Sequence, residues 1–296
     1  MTGNQTRFEA FLAEEANKYK GVSVPVRSGL FRRAIVRKIR CKKLHPNPGD
    51  EFCNPRIGPN YEIVSRYEHE IWAARKRRKK DCFSEPLIVE KIRPEGYLLL
   101  NGHHRWAAAV RMGVARVPVK IVNLTQEMDV RRMLQNARHS KRVTLDLDEV
   151  VFTADPQAPA EKPLPFPLRK IYRERLRLGV PALFHDLKIN GYDIWVYSAG
   201  YDSLDYVRAY FKWHRIPVDG IVTGTGRKSP VGKTAKNTLE TLMKNKYPET
   251  VHIDSHSVLR IQSQRRDYQE FPLSGSRDTW SREIMEIMGK WEKPEG

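Results

Sequence analysis

The stretch Arg142-Val143-Thr144-Leu145-Asp146-Leu147-Asp148-Glu149-Val150 decides how the second half of this chain folds. A short aliphatic run stops on two carboxylates two positions apart. Such a run is too short for a helix and fits a buried strand, whose residues two apart lie on one side. As the strand unwinds, Asp146 and Asp148 can therefore enter the same crevice. The pattern then repeats along the chain. YDIWVYSAG (192–200), VDGIVTG (218–224) and ETVHIDS (249–255) read as strands. Residues 169–190, SLDYVRAYFKWH (203–214), KTAKNTLETLMKNK (233–246) and DTWSREIMEIMGKW (278–291) read as helices, and a Pro-rich stretch occupies 154–168. Strands alternating with helices at this spacing predict a doubly wound α/β domain, a parallel sheet covered on both faces.

Upstream the pattern changes. Phe8, Phe11, Leu12 and Ala16 share one face of a first helix, and residues 29–44 alternate apolar and basic positions through Ile35, Arg37, Ile39 and Cys41, as a strand would. HPNPGDEFCNPRIGPN is loop, and a helix from about Tyr61 to Ala74 ends in the cationic run 75–80. PLIVEKI and YLLLNG flank a Pro-Glu-Gly turn as a hairpin. WAAAVRMG follows as a short helix with Gly113 as its stop, and VPVKIV (117–122) as a strand. The expected organisation is thus a helix and linker at 1–28, an α+β domain at 29–138 and the α/β domain at 139–296.

Composition bounds the function classes. The 40% hydrophobic content suits a folded globular chain, no apolar run reaches the ~18 residues of a bilayer span, and the N-terminus lacks a secretion pattern. Three cysteines without a CxxC pair indicate neither a disulfide framework nor a zinc site, so a cytoplasmic location is expected. The net charge of +18 is unevenly spread, with 28 Lys and Arg against 14 Asp and Glu in residues 1–140, and 25 against 21 in 141–296. The basic first half points to a polyanionic partner, nucleic acid or a phosphate-rich small molecule. A solvated basic face is the bland counterpart.

Ligands of doubly wound sheets bind beyond the carboxyl ends of the strands. There the sequence puts Asp146 and Asp148, Ser198 and Asp254. Three carboxylates form a hard oxygen set suited to Mg²⁺. Phosphate transfer also needs a cation, and Lys228, Lys233 and Lys236 supply candidates, with Lys233 best placed at a helix start. GTGRKSPVGKT is no phosphate-binding loop, because Arg227 stands where the GxxxxGK[ST] pattern needs glycine. In the first half, Asn101-Gly102-His103-His104-Arg105 closes a strand and opens a helix. Asn101 can cap the helix, Gly102 admits a ligand close to the backbone, and the helix N-terminus favours anions. A capped helix with a structural arginine is the alternative.

Asp146-Leu147-Asp148-Glu149-Val150, Ser198 closing VYSAG, the following lysines and Asp254 in HIDS resemble, in that order, the motifs of the haloacid-dehalogenase superfamily. The resemblance covers nearly all of 142–291. It implies a Rossmann-like domain in which Asp146 attacks phosphorus to form an aspartyl-phosphate and Asp148 is general acid and base. Ser198 and Lys233 hold the phosphoryl group, and Asp146, Asp148 and Asp254 hold Mg²⁺. Ser255 and His256 stand where that family often carries a second acid. The string Asn101–Arg105, with Leu44-His45-Pro46, PLIV and VPV around it, resembles the ParB/sulfiredoxin superfamily over 39–123, nearest its free-serine-kinase branch with DGHHR. That likeness implies phosphate or nucleotide binding, with ATP or another nucleotide as ligand, and Asp50-Glu51 after the Pro-rich loop, with Glu51 as the glutamate, as the nearest counterpart of a catalytic base. Asn101 replaces the branch's aspartate. The sequence therefore predicts a two-domain phosphotransfer protein that hydrolyses a phosphate ester. A bifunctional kinase–phosphatase and a nucleic-acid-binding regulator with an inactive second domain remain as alternatives. The substrate and the oligomeric state are not legible.

Overall fold

The computed structural model describes residues 3–79, 81–226, 233–262, 267–274 and 279–292. Its chain divides into two compact units between Asn123 and Leu124. The limit expected at 138/139 lies one helix further along.

The first unit runs through α1 (Gly3–Tyr19), β1 (Val24–Pro25), α2 (Leu30–Arg33), β2 (Arg37–Arg40), β3 (Leu44–His45), α3 (Tyr61–Lys76), β4 (Leu87–Arg93), β5 (Tyr97–Asn101), α4 (His103–Arg111) and β6 (Arg116–Val122). Its mixed sheet has the order β2-β6-β4-β5-β3, with β1 also pairing β4. The expected hairpin is present as antiparallel β4 and β5, whereas β4 and β6 are parallel. Val64 and Ile71 of α3 and Trp106 to Ala109 of α4 pack with Leu87, Val89, Val117 and Val119 of the sheet. Gly113 takes φ +64 just after α4, which ends the helix where expected. The strand expected over 29–44 is much shorter. Residues 30–33 form a single helical turn, only 37–40 pair with β6, and Cys41–Lys43 turn again. Ile35 and Val36 stay exposed, because the alternation there has no sheet face to bury against.

The second unit holds α5 (Glu127–Asn136), β7 (Lys141–Asp146), α6 (Leu168–Ile171), α7 (Val180–Ile189), β8 (Tyr192–Ser198), α8 (Leu204–Trp213), β9 (Gly220–Thr223), α9 (Lys233–Lys246), β10 (Glu249–Ile253), β11 (Ser257–Gln262), β12 (Asp267–Pro272) and α10 (Trp280–Glu292). The sheet order is β12-β11-β10-β7-β8-β9. β10, β7, β8 and β9 are mutually parallel. Alternation explains the layers: Val143, Leu145, Ile194 and Val196 face a core shared with α7, α8 and α10. Trp195 faces the other way and packs with Val130 and Met133 of α5 and with Leu239 and Met243 of α9.

Two expectations are corrected here. The helix expected over 169–190 is only α6 and α7. Between them Leu176 bridges Phe152 and Arg177 bridges Ala160, and Gly179 at φ +89 starts α7. The sheet is also not purely parallel, since β11 and β12 add an antiparallel hairpin beside β10. None of the helices among the described residues is long and apolar enough to cross a membrane.

Candidate functional site

β7, β8 and β10 point the same way, so Asp146, Ser198 and Asp254 reach one sheet edge, with β7 in the middle. Leu145 pairs with Ile253, which sets Asp146 and Asp254 at adjacent strand ends. Asp146 is half-buried, and its Oδ1 accepts the backbone N–H groups of Asp148 and Glu149 at 2.8 and 2.9 Å. The carboxylate therefore caps the π-helical turn Leu147–Val151 that ends the strand. Oδ2 is not used by that cap. The turn carries Asp148 to the neighbouring strand end. Ser198, 1% exposed, donates its Oγ–H to Asp148 Oδ2 at 2.8 Å and accepts the Gly200 N–H at 3.0 Å. A methyl on Gly200 would stand 3.2 Å from Ser198 Oγ and 3.8 Å from Asp148 Oδ2, so glycine keeps that approach open. The loop after β9 closes over the same strand end, with Thr225 donating to the Ser198 carbonyl from both its backbone N–H and its hydroxyl.

Asp254 accepts the Ser255 hydroxyl at 3.0 Å and the Ser255 N–H. Burial pushes its carboxyl up, but these hydrogen bonds and the nearby His252 and His256 outweigh it and hold the group below its ordinary value. The expected trio of metal ligands is not assembled. Among the described residues no three His, Cys, Asp or Glu side chains gather into a metal-holding group. Asp148 accepts the Ser198 hydroxyl at Oδ2. Asp146 and Asp254 remain, and one or two carboxylates together with substrate phosphate are an ordinary Mg²⁺ environment. Lys228 lies outside the described residues. Lys233 opens α9 and Lys236 follows within it, and their side chains lie outside the described residues too.

In the first unit the helix cap differs from expectation. Gly102, at φ +95, is the N-cap of α4, and no side chain caps the helix. Asn101 turns instead to Arg105, accepting Nη2–H at 3.2 Å, while Arg105 Nη1 donates to the Glu85 carbonyl at 3.0 Å. Arg105 is 8% exposed, and its guanidinium joins Asn101 at the end of β5 to the Glu85 carbonyl before β4. Both histidines accept backbone N–H groups at Nε2, His103 from Asn47 and His104 from Asn60. Burial lowers both imidazoles, only partly offset by Asp50, and brings His103 to about 4. They are neutral near pH 7, so the positive charge of this string resides on Arg105.

Phe52 packs against both histidines, with ring centres 5.4 Å from His103 and 5.1 Å from His104. The loop carrying Glu51 thus sits on the start of α4. Glu51 itself is exposed and walls a cleft of about 320 Å³ with Asp50 and, from α1, Asn17 and Lys20. None of His103, His104 and Arg105 lines that cleft. Asp50, which the sequence offered only beside Glu51 as a base, has a different place: it caps the turn Glu51–Cys53 by accepting the Phe52 N–H, and its charge acts on both histidines. The Asp-x-Phe spacing of an Asx turn was the available signal.

Residues 31–137 match the family model of the ParB N-terminal domain. Among solved structures, the chain is similar to the C-terminally truncated chromosome-partitioning protein ParB from Caulobacter crescentus complexed with CTP-gamma-S. The identity is 25%, the TM-score is 0.24, and the match covers 36% of this chain and 56% of that one. The chain thus spans little more than half of that protein. No curated protein matches.

Proposed function

We propose that the second unit is a phosphohydrolase of the haloacid-dehalogenase type with Asp146 as nucleophile, and that residues 31–137 bind a nucleotide, another phosphorylated ligand or nucleic acid. The observation that carries the first part is the sequence of strand ends on one edge: Asp254, Asp146 and Ser198 on β10, β7 and β8, with Asp148 hydrogen-bonded to Ser198. The second part rests on the match of 31–137 to the ParB N-terminal domain.

In this reading the Asp146 oxygen outside the cap attacks phosphorus, and the bond from phosphorus to the ester oxygen breaks. Asp148 delivers a proton to the departing oxygen. Ser198 turns its hydroxyl from Asp148 to a phosphoryl oxygen. Water then attacks the aspartyl-phosphate, Asp148 takes its proton, and Asp146 is released as carboxylate with inorganic phosphate as product. Asp146 and Asp254 would hold Mg²⁺, which neutralises charge on the phosphoryl oxygens. The cap formed by Asp146 Oδ1 fixes the nucleophile's orientation before substrate arrives, which favours attack without reorganisation.

The test is hydrolysis of a panel of phosphorylated metabolites and of 5′- and 3′-phosphorylated oligonucleotides. Asp146→Asn is expected to abolish turnover with an unchanged circular dichroism spectrum, and a chelator to abolish it in the wild type. Asp148→Asn is expected to spare capture of the phosphoryl group more than turnover. Turnover by Asp146→Asn at the wild-type rate would end the assignment. A second reading, a kinase acting through Glu51, draws on the contact of Phe52 with His103 and His104. ATP-dependent phosphorylation of a hydroxyl, lost in Glu51→Gln, is its test.

A further inference from the structure

The edge of the first sheet carries a charge arrangement that folding alone does not explain. β2 is an edge strand, and its antiparallel register with β6 sets Arg40 directly opposite Arg116. Like charges facing each other across a strand pair destabilise it. Both are exposed, as is Lys42 two residues on. Among the described residues none of these three has an ion-pair partner.

All three line a groove of about 650 Å³ between α1 and this sheet edge. Its wall includes Trp106, whose indole Nε1–H is buried without an acceptor, and Phe11, 38% exposed. Glu15 is the acid in its lining, and that carboxylate is engaged by His45 Nδ1 at 3.1 Å. A second, smaller groove shares Val114, Ala115 and Arg116 with the first and continues to Lys38, Arg75 and Lys79. Its acid, Asp81, pairs with Lys38 at 2.9 Å. Arg75 is held in place by donating to the Met112 carbonyl at 2.9 Å. Two adjoining grooves thus make one basic track, with Arg116 at their junction. On α3, next to Ile71 of the second groove, Trp72 is 57% exposed with Lys76 Nζ 5.2 Å from its ring centre.

We propose that this track binds a single strand of nucleic acid, its phosphates on Arg40, Lys42, Arg116 and Arg75, with an unpaired base on the Trp72 ring. Cations without an acid beside them, lining adjoining grooves, suit a phosphodiester backbone, and an exposed aromatic face offers stacking that a paired base cannot use. This specifies the nucleic-acid branch of the reading above and is independent of hydrolysis at Asp146.

The experiment is fluorescence anisotropy of the full chain with a 12-nucleotide oligonucleotide lacking terminal phosphates, over a salt series. Terminal phosphates are omitted so that the phosphohydrolase reading can fail without affecting the result. The double variant Arg40→Ala/Arg116→Ala is expected to bind about tenfold more weakly, and the slope of log affinity on log salt to fall by about 2, near one per lost phosphate contact. Arg56→Ala/Arg66→Ala removes the same charge from exposed positions off the track and is expected to leave the slope unchanged. Arg40→Lys/Arg116→Lys is expected to restore most binding. Trp72→Ala is expected to weaken the single strand several-fold and leave binding of heparin, a polyanion without bases, unchanged. Equal losses from the two charge-removing pairs would overturn the track. So would a duplex of equal length binding as tightly as the single strand.

Discussion

Arg105 shows how a residue chosen for binding can be committed to structure. Its guanidinium is buried and ties Asn101, at the end of β5, to the Glu85 carbonyl before β4. Arg105→Ala removes hydrogen bonds from a charged donor and leaves a carbonyl without its partner. A loss of about 1.5–3 kcal/mol of stability is expected. Asn101→Ala removes one bond, and a loss nearer 1 kcal/mol is expected. Urea unfolding of both variants measures this directly. An unchanged midpoint for Arg105→Ala, with nucleotide binding lost, would return the arginine to the ligand. Calorimetry with ATP, ADP and CTP on the same proteins supplies that second reading. Asp148 and Ser198 are the opposite case, two residues singled out for chemistry that meet in a hydrogen bond of 2.8 Å at the carboxyl edge of the second sheet.

At the scale of elements, two glycines separate packing from backbone freedom. Gly220 opens β9, where an added methyl would fall inside the indole of Trp195, a side chain with no exposed surface that donates to Tyr247 at 3.0 Å. Overpacking of this kind costs about 1–3 kcal/mol, so Gly220→Ala is expected to lower the unfolding midpoint and alter the near-ultraviolet signal of tryptophan. Gly289 lies inside α10, and a methyl there meets nothing within 4 Å. Gly289→Ala is expected to stabilise by about 0.5–1 kcal/mol, because glycine loses more backbone freedom in a helix. If the two changes shift stability alike, the packing of β9 on Trp195 is not what limits that strand. The broken helix at 169–190 follows the same logic, since a positive φ at Gly179 and pairing of Leu176 and Arg177 override helical propensity.

For the whole molecule, acid is expected to act in two windows. His103 titrates at about 4 in the folded state against an ordinary 6.5, because burial disfavours its cation. Above about 6.5 it is neutral in both states and has no effect on pH dependence. As pH falls from 6.5 to 4 the unfolded chain takes up a proton that the folded one refuses, so stability is lost across that range. His45, His104 and His214 are lowered by burial too and act in the same direction. Asp193 behaves differently. Burial pushes it up, but hydrogen bonds from His139 and Lys188 outweigh that and leave it below its ordinary 3.8. Its contribution is complete above 3.8 and is lost only as pH falls through the lower folded value. Urea midpoints measured from pH 7.5 to 3 should therefore decline first between 6.5 and 4, and His103→Gln should flatten that first decline. A midpoint that stays level down to pH 4 would mean His103 takes up its proton in the folded protein.

Local pattern was enough to place the parallel strands of the second unit and to put Asp146, Ser198 and Asp254 at their ends, because strand period and helix–strand alternation are written in near neighbours. The β4–β5 hairpin, α3, and Gly113 as the stop of α4 were legible for the same reason. What the tertiary structure alone decided were partnerships across long separations: Asp148 with Ser198, Arg105 with Glu85, Phe52 with two histidines. The β11–β12 hairpin, the docking of α5 on Trp195 and the facing of Arg40 by Arg116 belong with them. Each depends on a register between distant segments, and one residue of slip would send every side chain of a strand to the other face. A net charge of +18 made a polyanionic partner or a solvated basic face the two readings, but only the register could say that Arg40 stands opposite Arg116.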